Sequence, residues 1–150
     1  MAVFEVSIEI ECTQQAAFEF LIQPENIRRI SPPEMGLVFT DAPAKFAPGS
    51  QFAFKVQGYG QVQEMLYEVA HFEEPSRFTE RQIKGPLRHW LHEHLVESVK
   101  HDTVRITDRI EFEPPGGIVG FLITESKLLE SRDDVFDYRH LQMQKLLSGA

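Results

Sequence analysis

Three histidines surround the sole tryptophan of the chain in the stretch GPLRHWLHEH, residues 85 to 94. Alternate side chains of an extended strand share a face, so Trp90, His92 and His94 are expected on one side of it. Imidazoles grouped in this way can transfer protons, ligate a metal, contact a bound molecule or pair with a buried acid. The stretch is therefore the first candidate for a functional site, and its chemistry depends on what faces it.

The next predicted strand supplies an acid. TVRITDRIEF, residues 103 to 112, carries Asp108 on a face that is otherwise apolar. A hairpin through a three-residue loop at residues 100 to 102 would place His94 directly opposite Asp108, whereas a register two residues away would bring His92 or Val96 there. Because a buried carboxylate is costly unless it is paired, we expect Asp108 to have a hydrogen-bonding partner, with His94 as the nearest candidate.

This group has three interpretations. It is a satisfied structural pair of His94 and Asp108, or a catalytic pair in which His94 is a general base that Asp108 orients. In the third, His92 and His94 bind a metal, but the sequence spacing supplies no third or fourth ligand, so we predict neither a metal nor a cofactor. The outward-facing and loop histidines, His71, His89 and His101, are predicted to lie at the surface.

A long C-terminal helix is predicted to face these strands. Residues 118 to 147 contain no proline and a single glycine, and the helix is expected to end at Gly149. Its apolar stripe comprises Leu128, Leu129, Val135, Phe136, Met143, Leu146 and Leu147.

Two arginines, Arg132 and Arg139, fall inside that apolar stripe. A guanidinium does not lose its proton, so each needs either a route to water or an acid to meet. The candidate acids are Asp108 and Glu80. The functional alternative is an anchor for the carboxylate or phosphate of a ligand.

The remaining elements are predicted to build one sheet. The first strand, VFEVSIEIEC, alternates apolar and polar residues, and two short helices follow it between Thr13 and Pro32. From residue 36 onward, six runs rich in Phe, Val and Ile are separated by Pro and Gly, with turns expected at residues 58 to 60 and 114 to 117. No segment of helical length lies between these runs, so the sheet should be antiparallel.

Together these elements predict a single α+β domain over residues 1–150. One helix that packs on one sheet must lie across its concave face for both to bury their apolar sides. If the sheet curves strongly, the space between them need not close. The sequence therefore predicts a cavity between the sheet and the C-terminal helix.

Composition excludes several classes of protein. The formal net charge of -8 disfavours nucleic acid and anionic membrane partners, both of which reward clustered Lys and Arg. The single cysteine, Cys12, cannot form an internal disulfide, and no apolar stretch approaches the length of a membrane span. The first residues lack the basic start and apolar run of a signal peptide. These features predict a cytoplasmic protein.

Several stretches resemble one known family. PEN at 24–26, ISPP at 30–33, GPLRHWLHEH, TDRIEFEPPGG at 107–117 and FDYRH at 136–140 are similar to ligand-binding SRPBCC proteins of the START-like superfamily. Relatives there include the birch pollen allergen and the polyketide cyclases. The W-x-H-x-H and F-x-Y-R elements resemble one bacterial branch, and the resemblance covers nearly the whole chain.

This resemblance implies a helix-grip fold, in which a seven-stranded curved antiparallel sheet wraps around a long C-terminal helix and a deep apolar cavity. The chain departs from the branch at Leu91 and Leu95, where outward positions are apolar instead of charged. Apolar outward positions are typical of subunit contacts, so they favour a homodimer contact through this strand.

Three function hypotheses follow. The first is binding or transport of a small amphipathic or hydrophobic molecule in the cavity, and the second is a cyclase or dehydratase in which His94 and Asp108 act. The third is a protein-interaction module with an exposed apolar patch. The predicted ligand-binding residues are Phe52, Phe54, Tyr67, Trp90, His92, His94, Asp108, Phe112, Phe136 and Arg139.

Overall fold

The computed structural model describes residues 1–58, 61–116 and 125–150. Its strands are β1 (Ala2–Ile10), β2 (Val38–Asp41), β3 (Gln51–Gly58), β4 (Gln61–Glu73), β5 (Arg77–Lys84), β6 (His89–Lys100) and β7 (Thr103–Glu113). Its helices are α1 (Gln14–Leu21), α2 (Pro24–Arg29), a 3-10 turn (Pro33–Met35) and α3 (Glu125–Leu147). None of the helices in these ranges has the length and apolar character that a membrane span requires.

All seven strands form one antiparallel sheet in the order β1-β7-β6-β5-β4-β3-β2. The chain runs through consecutive hairpins from β2 to β7, and β1 then pairs with β7. The register shifts twice in β4, near Tyr67 and near His71, and such bulges increase twist and bend a strand. The α+β prediction of a curved seven-stranded sheet with a long C-terminal helix is confirmed.

Three of the sequence boundaries differ from the structure or lie outside it. The predicted helix over residues 118 to 147 is confirmed from residue 125, whereas residues 118 to 124 lie outside the described residues. Most of the expected turn at 58 to 60 and the last residue of the expected turn at 114 to 117 also lie outside them.

The β6–β7 connection is shorter than predicted. Only His101 and Asp102 separate the strands, and the third residue is absorbed by a register shift between Ser98 and Lys100. Asp102 takes a positive φ of 65°, which Asp tolerates better than most residues. The predicted pairing of His94 with Asp108 is nevertheless confirmed, since the bulge compensates for the shorter loop.

One half of the core lies under α1. Phe18 is fully buried there and meets Phe72 and Phe78 edge to face, with ring centroids 5.4 and 5.8 Å apart. Such aromatic pairs add about 0.5–1.5 kcal/mol each beyond the area that they bury. This end of the sheet is therefore closed by packed rings.

The helix α3 covers the other half of the sheet. Phe136 packs on Phe4 of β1, with ring centroids 5.3 Å apart, and Met143 and Leu147 are buried. The prediction for Leu146 is wrong, because its side chain lies beside the buried stripe and is 37% exposed. Leu91 and Leu95 are half-buried on the outer face of β6, and the homodimer stays a prediction.

Thr13 caps α1, and we expect its hydroxyl to have a measurable effect on stability. The side-chain oxygen accepts a hydrogen bond from the Ala16 amide at 3.1 Å, which satisfies one of the free donors of the first helical turn. Thr13→Ala should lower the free energy of unfolding by about 1 kcal/mol in a urea titration. Thr13→Ser keeps the acceptor and should restore most of that loss; equal losses in both variants would contradict the assignment.

Candidate functional site

Two adjoining pockets lie between the sheet and α3. The inner one has a cavity volume of about 110 Å³ and reaches Glu80, His92 and His94. The outer one has a volume of about 320 Å³ and extends past Leu87 and Leu128. Both are bordered by Trp90 and Tyr67, so these two rings stand between a small inner space and a larger outer one.

Eight of the ten predicted ligand-binding residues border the inner pocket: Phe52, Phe54, Tyr67, Trp90, His92, His94, Phe136 and Arg139. The other two do not border it. Phe112 is fully buried beneath Trp90, with ring centroids 6.2 Å apart. Asp108 is fully buried behind the two histidines. These two support the wall from behind and do not face the pocket.

Asp108 is the centre of a buried polar cluster. Its Oδ1 lies 2.7 Å from His92 Nε2, 3.2 Å from His94 Nδ1 and 3.3 Å from Arg139 Nη2. The shortest contact is thus made by the diagonal neighbour, His92, although His94 lies directly opposite in register. The sequence predicted that Arg139 would meet an acid, and its contact with Asp108 joins α3 to β7.

Glu80 completes the cluster, and sequence reasoning named it only as a candidate partner of the helix arginines. It is buried on β5 directly opposite His92, and its Oε1 lies 3.2 Å from His94 Nε2. The signal in the sequence was SRFTERQI, in which Glu80 alternates with the apolar Phe78. An acid on the face of a core phenylalanine needs a partner in the same way as Asp108.

Electrostatics within the cluster favour charged carboxylates. Burial alone would raise the pKa of Asp108, but the Arg139 charge and the hydrogen bonds from His92 and His94 hold that pKa well below its ordinary value. Burial likewise opposes the ionisation of Glu80, yet the charge and hydrogen bond of His94 outweigh it and lower the pKa of Glu80.

The pKa values of the two histidines are shifted in opposite directions. Burial and the neighbouring His94 charge lower the pKa of His92 to about 4, so its ring is neutral near pH 7. Burial also disfavours the charged form of His94, but contacts with Glu80 and Asp108 on its two ring nitrogens outweigh that cost and raise its pKa. Their rings stack with centroids 3.8 Å apart, and Phe78 stacks on the far side of His94 at 4.2 Å.

Two further polar groups lie along the outer half of the wall. The indole Nε1 of Trp90 is buried with no hydrogen-bond partner among the described residues. The guanidinium of Arg132 lies 5.5 Å from the Trp90 ring centroid, a cation–π distance, and Arg132 borders both pockets. An indole donor and a cation therefore accompany the apolar rings.

The chemistry of His94 does not suit the catalytic role considered above. A general base must have a free ring nitrogen near the proton that it removes. Both nitrogens of His94 lie 3.2 Å from carboxylate oxygens, and these contacts favour its protonated form. Glu80, His92 and His94 do, however, present three donor atoms within 4.8 Å of one another, a metal-ligand grouping that spacing alone did not predict.

Solved structures of several proteins share this architecture. A START superfamily protein from Mycobacterium smegmatis has a TM-score of 0.73 at 9% identity, over 97% of this chain and 96% of its own. A ginseng major latex-like protein from Panax ginseng has a TM-score of 0.70 at 12% identity, over 96% and 95%. A protein from Chromobacterium violaceum has a TM-score of 0.75 at 10% identity, over 99% and 98%.

These likenesses define the class of protein: the chain has the START-like helix-grip fold. At such low identities they speak for the fold alone. A family model described as a domain of unknown function (DUF8410) matches residues 62–147, and the chain belongs to that family. A search of curated proteins gives no match to the sequence.

Proposed function

We propose that this protein binds a small amphipathic molecule in the space between the sheet and α3, as a cytoplasmic carrier or receptor. The apolar body of the molecule lies among Phe54, Tyr67 and Trp90 in the outer pocket. Its polar end reaches the inner pocket, beside His92, His94 and Arg139. Binding itself is the proposed function.

The observation that carries this proposal is the arrangement of the two pockets. The walls are mainly aromatic and aliphatic, and the buried polar cluster lies at the inner end. A pocket lined by apolar side chains with a few convergent polar groups is the usual form of a small-molecule site. The aromatic surface that lines the pocket also favours contact with apolar ligand surface, at roughly 25 cal/mol per Å² removed from water.

The pocket sizes support an orientation for the ligand. The inner cavity of about 110 Å³ is well below the usual size of about 300–1,000 Å³ for a whole ligand site, so it suits only a small head group. The outer cavity of about 320 Å³ reaches the size range of sites for larger organic ligands. The unpartnered Trp90 Nε1 supports an acceptor atom near the junction of the two spaces.

The catalytic alternative is less well supported. A cyclase or dehydratase acting through His94 and Asp108 needs a base with a free nitrogen that reaches the substrate. His94 is enclosed by two carboxylates, and Asp108 does not border either pocket. The geometry of this pair supports a structural role that holds the inner wall of the binding site.

Trp90 offers a direct test, because it is the only tryptophan in the chain and borders both pockets. The protein is titrated with 8-anilinonaphthalene-1-sulfonate, an amphipathic fluorophore, in the presence of EDTA. We expect saturable 1:1 quenching of the Trp90 emission together with a rise in the fluorescence of the probe. Probe fluorescence that rises without a change at Trp90 would place the binding elsewhere and would contradict the proposal.

A further inference from the structure

The buried cluster at the inner end of the pocket contains more ligating atoms than a structural pair needs. We propose that Glu80, His92 and His94 form a binding site for one divalent first-row transition metal ion. The site borders the inner pocket that would receive the polar end of an amphipathic molecule, but metal binding is tested without that molecule and does not depend on it.

The strand register brings the three donors together. His92 and His94 alternate on β6 and face the same side, and Glu80 lies opposite His92 on β5. One donor atom from each residue lies within 4.8 Å of the other two, and all three side chains are buried. Two imidazoles and one carboxylate form the donor set that suits Zn²⁺, Fe²⁺, Co²⁺ and Ni²⁺ better than Mg²⁺ or Ca²⁺.

One of the donor separations already suits coordination. Metal–nitrogen and metal–oxygen bonds are about 2.0–2.1 Å long, so neighbouring ligand atoms on one ion lie about 3.0–3.4 Å apart. His94 Nε2 and Glu80 Oε1 are 3.2 Å apart. A bound ion would take the place of the proton that these two groups share, which is the usual exchange when a metal binds to imidazole.

Asp108 has the position of an outer carboxylate that lies beside both imidazoles. It contacts His92 through Nε2 and His94 through Nδ1. In the proposed site each ring would offer its other nitrogen to the ion, Nδ1 of His92 and Nε2 of His94. Metal-ligating histidines commonly donate their second ring N–H to a carboxylate, as the 2.7 Å hydrogen bond between His92 Nε2 and Asp108 allows, and this fixes the tautomer and the ring orientation.

The inner pocket leaves room for further ligands on the ion. Glu80, His92 and His94 all border it, and its volume of about 110 Å³ exceeds that of the ion with a bound water.

The charge of the cluster also suits a divalent cation. Glu80 and Asp108 against Arg139 leave one net negative charge when both histidines are neutral, and a divalent ion reverses it to one positive charge. The open side of the site would then favour an anionic or water-derived ligand.

The test uses protein freed of metal with EDTA and titrated with Co²⁺ and Zn²⁺. We expect a 1:1 complex by calorimetry, visible d–d absorption from bound Co²⁺, and shifts of the His92 and His94 ring resonances in NMR spectra with Zn²⁺. Mg²⁺ should give none of these signals. Failure to bind Co²⁺ or Zn²⁺, or binding that leaves both ring resonances unchanged, would overturn the proposal.

Variants locate the site independently. Glu80→Gln keeps the shape of the side chain and should weaken Zn²⁺ binding at least about tenfold, since even outer-shell changes cost 10–100-fold. The control is the double variant His71→Ala/His101→Ala, which removes two exposed imidazoles and should bind Zn²⁺ as the parent does. Loss of binding in the control alone would assign the metal to the surface. If Glu80→Gln does not fold, the NMR spectra of the parent protein with Zn²⁺ decide whether His92 and His94 bind the metal.

Discussion

Replacing Asp108 with asparagine is expected to lower the free energy of unfolding by about 3–5 kcal/mol, the cost of breaking a buried ion pair by removing one partner. Asp108 is fully buried, and its Oδ1 contacts His92, His94 and Arg139. Asparagine keeps the size of the side chain but leaves the guanidinium of Arg139 buried without its acid. The measurement is urea unfolding followed by circular dichroism.

The matched control lies on the same strand. Glu111→Gln makes the same change of carboxylate to amide on the opposite face of β7, where Glu111 pairs with Arg109 near solvent. Surface ion pairs contribute about 0–1 kcal/mol, so the control should lose less than that. Comparable losses in the two variants would show that the buried cluster does not hold α3 on the sheet.

Replacing Val135 with tryptophan is expected to abolish most of the affinity for 8-anilinonaphthalene-1-sulfonate. Val135 lies on α3, is half-buried and borders both pockets, so a larger ring there occupies the junction between them. We expect at least about a tenfold loss of affinity, which corresponds to about 1.4 kcal/mol. The measurement is the rise of probe fluorescence, which does not depend on the added tryptophan.

The control for this variant has the same bulk on the same helix. Leu141→Trp places the ring at a position that is 54% exposed and faces away from the sheet. Its affinity for the probe should equal that of the parent protein. Leu141→Trp should also keep the parent midpoint of urea unfolding, since surface substitutions usually change stability by less than about 0.5 kcal/mol. Equal loss of affinity in the two variants would contradict the assigned pocket.

The alternation of apolar and polar residues along the strands was sufficient to predict most of the fold. The period of two in the first strand, the Pro and Gly between the later runs and the lack of intervening helices were sufficient for an antiparallel sheet. The pairing of His94 with Asp108 was predictable for the same reason, because a hairpin register follows from loop length and face. The loop itself was predicted one residue too long, because the sequence pattern does not reveal the bulge near Lys100.

The composition of the polar cluster was less predictable. His92, His94, Asp108 and Arg139 stood out because each is polar on an apolar face. Glu80 obeys the same rule, but its role depends on which strands become neighbours across the sheet, which local patterns do not give. The contact between His92 and Asp108 was expected only for a register shifted by two residues, because side chains can reach diagonal neighbours and rotamers decide which one they meet.

The division of the pocket into two parts also lay beyond the sequence. Aromatic residues predicted an apolar lining, and eight predicted residues do border the inner space. Whether they fill it or line it depends on how far α3 stands from the curved sheet. That distance is set by packing of the whole core, to which Phe112 contributes from behind the wall.

The most direct test of the account is a crystal structure of the protein grown with 8-anilinonaphthalene-1-sulfonate. We predict density for the fluorophore between the sheet and α3, with its rings beside Trp90 and Tyr67 and its sulfonate toward the inner end of the pocket. An interior filled by side chains, with Trp90, His92 and His94 turned toward bulk solvent or the fluorophore bound only at the surface, would contradict it.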